Sequence, residues 1–367
     1  MKLERAEMRL IELKLARLFE TSFGREETRR AIIVSLYGDG AVGWGECVAS
    51  SGPWYSYETV ETAWHVLEDF LIPRVLGEEL EAKAVWQRLS PIRGHNMAKA
   101  AVEMAAWDLE AKLKGVPLAR LLGGTKERVE SGVSIGIKRS IPELLEEIES
   151  RLEEGYPRIK LKIKPGWDLK VLKAVRERFP KIKLQVDANA AYRLEDLPLL
   201  KELDRFDLLM IEQPLGYDDL VDHARLQGEL ETPICLDESV SSVNLAISAL
   251  ELGSCRIINI KPGRVGGFLP SRAIHDKCRE RAVPVWCGGM LETGIGRAHN
   301  LALASLPGFT LPNDISASRR YWEQDLVEPE FSLNEDGTIS VPIRPGIGVE
   351  VLRDRLEEAT IRESSYE

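Results

Sequence analysis

Between residues 131 and 314 short apolar runs recur at a steady interval. In "RIKLKIKPGWD" (158–168), Ile159, Leu161 and Ile163 alternate with Lys160, Lys162 and Lys164, the period of two expected of a β-strand. "SGVSIGI", "KLQVD", "LLMIE", "PICLD", "RIINIK", "VPVWC" and "FTLPND" read as further strands. The gaps between them carry helical periodicity, as in "IPELLEEIESRLEEG", "DLKVLKAVRERFP" and "GFLPSRAIHDKCRERA". One strand and one helix in roughly 25 residues is the rhythm of parallel βα units. About eight such strands predict a closed barrel with a weak or missing final helix. A doubly wound open sheet is the competing fold, but no GxGxxG follows a first strand to support a dinucleotide site.

The flanks have a different pattern. Residues 3–15 and 28–47 predict antiparallel strands, the second pair turning at "YGDGAVG". From Tyr57 to about Leu122 the period is helical, clearest in "MAKAAVEMAAWDLEAKLKG", which Gly115 closes. The tail from about Ser318 is irregular, and "PIRPGIGVEV" reads as loop and strand able to pack back on the N-terminal unit. The expected division is an α+β unit over 1–125, a barrel over 126–318 and a C-terminal segment over 319–367 that completes the first unit.

Composition narrows the function. A formal net charge of −10 over 367 residues argues against nucleic acid, whose phosphates want a basic face. The N-terminus "MKLERAEMRLIEL" lacks a signal-type apolar stretch, and no run of about 18 apolar residues predicts a membrane span. The five cysteines, Cys47, Cys235, Cys255, Cys278 and Cys287, are odd in number, without CxxC spacing and partly in apolar runs. Reduced, mostly buried thiols and a cytoplasmic location are expected.

The middle strands end on charges: Lys162, Asp187, Glu212, Asp237 and Lys261, spaced 25, 25, 25 and 24 apart. Taken singly, an Asp there caps a helix and a Lys is solvated. Taken together, five successive strands deliver their charges to one end of one barrel, the end where such barrels keep their active sites. Three converging carboxylates call for a cation, and an all-oxygen set suits Mg2+, with Mn2+ as a substitute. Zn2+ does not fit, because no His or Cys falls at these ends. Lys162 and Lys261 flank the carboxylates on opposite sides. Lys160, two residues before Lys162, shares its face, and its charge should lower the Lys162 pKa toward a basic amine. The lysine face then points into the barrel, while Lys164 sits solvated at the mouth. A metal between two lysines fits removal of a proton next to a carboxylate, which the metal would neutralise as charge develops.

These marks resemble the enolase superfamily, for which a Lys base with Mg2+ is characteristic. "KLK" at 160–162, "DAN" at 187–189, "IEQP" at 211–214, "LDES" at 236–239 and "NIKPGRVGG" around Lys261 are similar to its muconate lactonizing enzyme subgroup. "ETSFG", "GWGEC", "MAKAAVEMAAWDL", "KIKPGWD", "TPICLDES" and "VWCGGMLETGIGRAHN" resemble, more narrowly, the o-succinylbenzoate synthase / N-acylamino acid racemase family, over nearly the whole chain. The resemblance implies a modified TIM barrel, (β/α)7β, with an α+β capping domain. It implies Mg2+ on Asp187, Glu212 and Asp237, and Lys162 and Lys261 as the acid/base pair. Asn189 and Glu238 would support the metal ligands. Phe23 and Tyr55 on lid loops, Ser134 on the first strand, and Gly289 and Met290 after the seventh would meet substrate. Arg264 would tune Lys261. The partner is a small-molecule carboxylate, and the enzyme a homo-oligomer.

The implied reaction is dehydration of 2-succinyl-6-hydroxy-2,4-cyclohexadiene-1-carboxylate to o-succinylbenzoate, a menaquinone step, with racemisation of N-acyl and N-succinyl amino acids at the same site. A dedicated N-acylamino acid racemase, a muconate cycloisomerase and a dipeptide epimerase are the alternatives. Dipeptide epimerases carry DxD at the eighth strand where this chain has "NDIS", Asp314 followed by Ser316, which disfavours dipeptides. His65, His95, His223, His275 and His299 miss the strand ends, so mandelate-racemase-type His/Asp chemistry is not expected. A non-catalytic binding protein on the same fold is the remaining reading.

Overall fold

The structure, a computed structural model, describes residues 1–367. The N-terminal unit begins with three antiparallel strands, β1 (Arg5–Glu20), β2 (Arg25–Gly38) and β3 (Ala41–Cys47). Asp39 and Gly40, at φ 49° and 79°, form the two-residue turn between β2 and β3, a backbone that Asp-Gly adopts readily. Helices α1 (Val60–Val66), α2 (Ala82–Leu89) and α3 (Asn96–Leu113) follow. Helix α3 lies against β3 because Gly43 and Gly45 present no Cβ. A methyl group there would collide with the carbonyls of Ala105 and Ala101.

The βα rhythm comes next. Strand β4 is Val133–Ile135, followed by α4 (Ile141–Glu153), β5 (Arg158–Lys162), α5 (Leu169–Arg178), β6 (Lys183–Asp187) and α6 (Leu197–Glu202). Then come β7 (Ile211–Glu212), α7 (Val221–Glu229), β8 (Ile234–Leu236), α8 (Val243–Leu252), β9 (Ile257–Ile260), α9 (Phe268–Glu280), β10 (Val285–Cys287) and α10 (Gly294–Ala304). The hydroxyls of Ser140, Ser242 and Thr293 cap α4, α8 and α10 and start each helix where the strand-end loop stops. Strands β4 to β10 form one parallel seven-stranded sheet in sequence order.

"FTLPND" differs from expectation. It closes the ring through isolated parallel bridges, Phe309 to Val285 and Asn313 to Ser131, rather than as a full strand. Pro312 has no N–H to give a ladder, so the closure rests on single bonds such as Asp314 N to Cys287 O at 2.9 Å and Asn313 N to Glu130 O at 2.9 Å. No α-helix follows this segment before the tail.

The tail ends in α11 (Arg353–Ala359) and β11 (Thr360–Tyr366), and β11 pairs with β1 to give the order β11-β1-β2-β3. Part of the tail goes elsewhere: Thr338–Ser340 pairs with Arg128–Glu130. Strands β1 and β2 run past their expected bounds, and their far ends reach over the barrel mouth, where Ser22 Oγ donates to Asn189 O at 3.3 Å.

One core of 96 buried residues runs through both units, and a small separate cluster of Met210, Cys235, Ile257 and Trp286 fills the barrel interior. Two buried carboxylates fasten the units. Glu103 on α3 accepts the N–H groups of Phe268 and Leu269, at 2.8 and 2.9 Å, at the start of α9. Glu46 on β3 accepts the Thr293 hydroxyl at 2.7 Å and Gly296 N at 2.9 Å at the start of α10. Each meets a helix N-terminus, where N–H groups lack intrahelical partners and need an acceptor oxygen. The five cysteines are free and buried. No helix is long and apolar enough to cross a membrane.

Candidate active site

In a parallel sheet, residues paired across strands point to the same side. The register pairs Lys162 with Asp187 and Asp187 with Glu212, so these three form one row at the C-terminal rim. Glu212 pairs with Cys235, which places Asp237, two residues on, on the same face one step higher. Lys261 directly follows β9. Lys162 and Lys261 therefore stand on β5 and β9, with the three carboxylate-bearing strands between them. Lys160 and Arg158 continue the Lys162 face downward into the barrel.

Every one of these charges is buried. Lys160 Nζ lies 3.2 Å from Asp187 Oδ2, 3.0 Å from Glu212 Oε2 and 2.5 Å from Asp314 Oδ2. Burial works against its charge, but Asp314, Glu212 and Asp187 outweigh it and hold its pKa above the ordinary lysine value. Lys162 Nζ donates to Asp187 Oδ2 and to Asn189 Oδ1, both at 2.6 Å. Its pKa is lowered, first by burial and further by the Lys160 charge, against the pull of Asp187. The lysine row thus has two members of opposite shift. Lys160 is an ionic keystone under three acids, and Lys162 is the amine made easier to deprotonate.

Across the sheet, Lys261 Nζ donates to Asp237 Oδ2 at 2.7 Å and to Tyr55 OH at 3.2 Å, while Tyr55 OH donates to Asp237 Oδ1 at 3.0 Å. Burial disfavours the Lys261 charge, yet Tyr55 and the carboxylates of Glu212, Glu238 and Asp187 keep its pKa above ordinary. Arg264 bonds Asp237 and the Asn259 carbonyl and gives its Nε to Val240 O at 2.8 Å, so it sits behind Asp237 rather than on the surface. Asp187 is held below the usual carboxylate range: burial would raise it, but Lys162 and Lys160 prevail. Glu212 is shifted upward by burial and by Asp187 beside it.

As the side chains lie, no three His, Cys, Asp or Glu groups gather closely enough to hold a metal together. The reason is visible in the bonds: ammonium and guanidinium groups take the carboxylate oxygens. The donor chemistry nevertheless fits a hard cation. Asp187, Glu212 and Asp237 bring oxygen alone from adjacent strands. Next to them Glu238 accepts from Asn189 Nδ2 at 2.9 Å through one oxygen, while its other oxygen is buried with no partner. Burial and the Asp187 charge push the Glu238 carboxyl up to about 7, against the opposing pull of Lys261.

Above the charges opens a cleft of ≈ 910 Å³, including space open to solvent. Lys160, Lys162, Lys261 and Asn189 form its floor, and the three strand-end carboxylates lie beneath them. Phe23, Tyr55, Ser134, Gly289 and Met290 all contribute to its walls, whereas Arg264 and Glu238 do not. Lys164, expected at the mouth, is partly exposed and 3.6 Å from Glu20. Sequence reasoning missed Asn259, whose Nδ2 donates to Glu212 Oε1 at 2.8 Å, and Arg158, which pairs with Asp314 at 2.7 Å. Period-two spacing from Lys261 and Lys160 marks both as inward-facing. The partnership with Asp314 had no such signal.

Comparison with known proteins gives two matching family models: "Mandelate racemase / muconate lactonizing enzyme, N-terminal domain" over residues 6–123 and "Enolase C-terminal domain-like" over residues 143–355. The chain is 55% identical over 355 residues to an o-succinylbenzoate synthase of Geobacillus kaustophilus, covering 96% of this chain and 94% of the other. It is 51% identical over 362 residues to an N-succinylamino acid racemase of Thermus thermophilus, covering 98% of each. A solved structure of an enolase superfamily member from Listeria innocua matches with TM-score 0.96 at 43% identity, over 100% of this chain and 99% of that one.

Proposed function

The chain belongs to the mandelate racemase / muconate lactonizing enzyme branch of the enolase superfamily, and from that premise we propose that it removes a proton α to a carboxylate with Mg2+. The reaction class is that of its relatives: o-succinylbenzoate synthesis by dehydration, with racemisation of N-succinylamino acids at the same site. The observation that carries the reading is the pair Lys162 and Lys261, buried at the ends of β5 and β9 on either side of three strand-end carboxylates.

Asp187, Glu212 and Asp237 would hold Mg2+, or Mn2+ in its place, and the cation would supply the positive charge that neutralises the substrate carboxylate as the α-proton leaves. Lys162 Nζ takes the α-proton from one face, and burial with Lys160 behind it favours the neutral amine this requires. Lys261 Nζ, protonated under the charge of its neighbours, faces the other side. In racemisation it returns a proton there; in dehydration it holds charge while hydroxide departs. Tyr55 OH fixes the Lys261 head. Asn189 fixes the Lys162 head and links it to Glu238. Phe23, Met290 and Trp54 line the cleft and give it an apolar wall beside the reacting carbon.

A dipeptide reading needs a free acid at the eighth segment for the substrate ammonium. Asp314 is committed to Arg158 and Lys160, which supports a substrate without that ammonium.

The test is proton NMR of N-succinyl-L-phenylglycine with enzyme and Mg2+ in D2O, run beside an assay for o-succinylbenzoate. Loss of the α-proton signal together with loss of optical rotation supports two-base chemistry. No exchange and no dehydration by folded, Mg2+-loaded protein would reject the reading.

A further inference from the structure

Arg29 is a buried cation without an anion. It lies on β2, is 4% exposed, and forms part of the cleft wall shared with Lys162 and Lys261. Its guanidinium carries five N–H donors. One Nη1 bond goes to Ser50 Oγ at 2.9 Å and one Nη2 bond to the Val48 carbonyl, while Nε is buried with no acceptor. No carboxylate pairs with it.

Other buried arginines behave differently. Arg151 pairs with Glu147 and Glu154, Arg158 with Asp314, and Arg264 with Asp237. Arg297 also lacks a carboxylate, but it bonds the carbonyls of Ser316 and Glu292 away from the cleft. Of the unpaired two, Arg29 alone faces the cavity. The acids of the wall leave it free: Asp314 is tied to Arg158 and Lys160, and Glu26 forms no ion pair. A desolvated guanidinium keeps its charge and is costly to bury without an anion, which a ligand carboxylate would supply.

We propose that Arg29 binds the distal carboxylate of a substrate with two carboxylates, the reacting one on the lysine floor and the second at the end of a succinyl-type arm. This rests on the proposed function, since both of its substrates carry a succinyl group. It adds the residue that selects for that arm. Lysines and strand-end acids act on any α-proton next to a carboxylate, and nothing on the floor distinguishes a succinyl from an acetyl substituent. A guanidinium on the capping unit does, because a carboxylate is its natural bidentate partner.

The experiment is titration calorimetry of the Mg2+-loaded enzyme with N-succinyl-L-phenylglycine and its analogue ending in a carboxamide. Arg29→Gln is then measured in the same way. Wild type should bind the carboxylate about 10- to 100-fold more tightly than the carboxamide, the range for losing one charged hydrogen-bond partner. In Arg29→Gln the ratio should fall toward one. Equal affinities in wild type would overturn the proposal, as would a variant that weakens both ligands by the same factor. The latter would mark Arg29 as a prop for Val48 and Ser50. The wild-type pair decides the matter if Arg29→Gln fails to fold. α-Proton exchange run in parallel reports on the proposed function separately: absence of exchange with an intact carboxylate preference would refute the chemistry and keep Arg29.

Discussion

Glu103 Oε2 accepts the N–H of Phe268 at 2.8 Å, joining helix α3 of the N-terminal unit to the first turn of α9 in the barrel. The same carboxylate takes Leu269 N and Trp107 Nε1. Burial pushes its carboxyl up from 4.5 to about 7. A folded pKa above the unfolded one means that the native state holds the proton more tightly. The stabilisation is full below the unfolded value and is lost as pH rises through about 7. Glu103→Gln keeps an acceptor oxygen and carries no charge at any pH. From about pH 4.5 to about pH 7.5, wild type should therefore lose on the order of 2–3 kcal/mol relative to the variant. Urea denaturation of both proteins across that window checks it; parallel stability curves would contradict the assignment.

Removing either lysine head should stop turnover without unfolding the chain. Lys162→Ala and Lys261→Ala are each expected to lose activity by about 10²- to 10⁴-fold or more, the usual contribution of a positioned general acid or base. The two should fail differently. In D2O each variant should still exchange the α-proton of one enantiomer of N-succinylphenylglycine, and the enantiomers should be opposite. Intact racemisation in either variant would remove that lysine from the mechanism.

Chelation tests the carboxylates. Enzyme stripped of divalent cations should be inactive and regain activity with Mg2+ or Mn2+. Mg2+ should also raise the Tm of wild type, by an amount that grows with its concentration over Kd. Glu212→Gln should abolish that rise. A Tm and an activity indifferent to chelator and to added Mg2+ would exclude the metal site.

The ion cluster below the site carries stability. Asp314 stands between Arg158 and Lys160, both of them buried, and its own side chain is only 7% exposed. Asp314→Asn leaves Arg158 without a carboxylate in the interior, while Lys160 keeps Asp187 and Glu212, and should cost about 3–5 kcal/mol. Adding Arg158→Met removes one stranded charge and should recover part of the loss. Chemical denaturation of the single and double variants measures this. An additive double variant would mean that the pair is not energetically coupled.

How much of this was legible in the chain depends on range. Lys162, Asp187, Glu212, Asp237 and Lys261 were found because each βα unit returns the chain to the same end of the sheet. A spacing of 24 or 25 residues thus becomes adjacency without knowledge of any side chain. The alternation around Lys160 placed it beside Lys162 for the same local reason. The alternation did not show how the repulsion between them is resolved. That answer lies in Asp314, 154 residues further along, in a segment whose proline keeps it from forming a regular strand.

The sequence by itself determined the order of elements, the face of each strand and the kinds of chemistry gathered at the rim, because periodicity and strand-end spacing are local properties of the backbone. The tertiary structure alone decided which charges neutralise which, and which remain unpaired. Lys160 ended under three acids, Glu103 and Glu46 reached helix ends in the other unit, and Arg29 was left facing the cleft. Such pairings depend on how the sheet curls and how one unit docks on another. Contacts between residues far apart in the chain leave no period in the sequence.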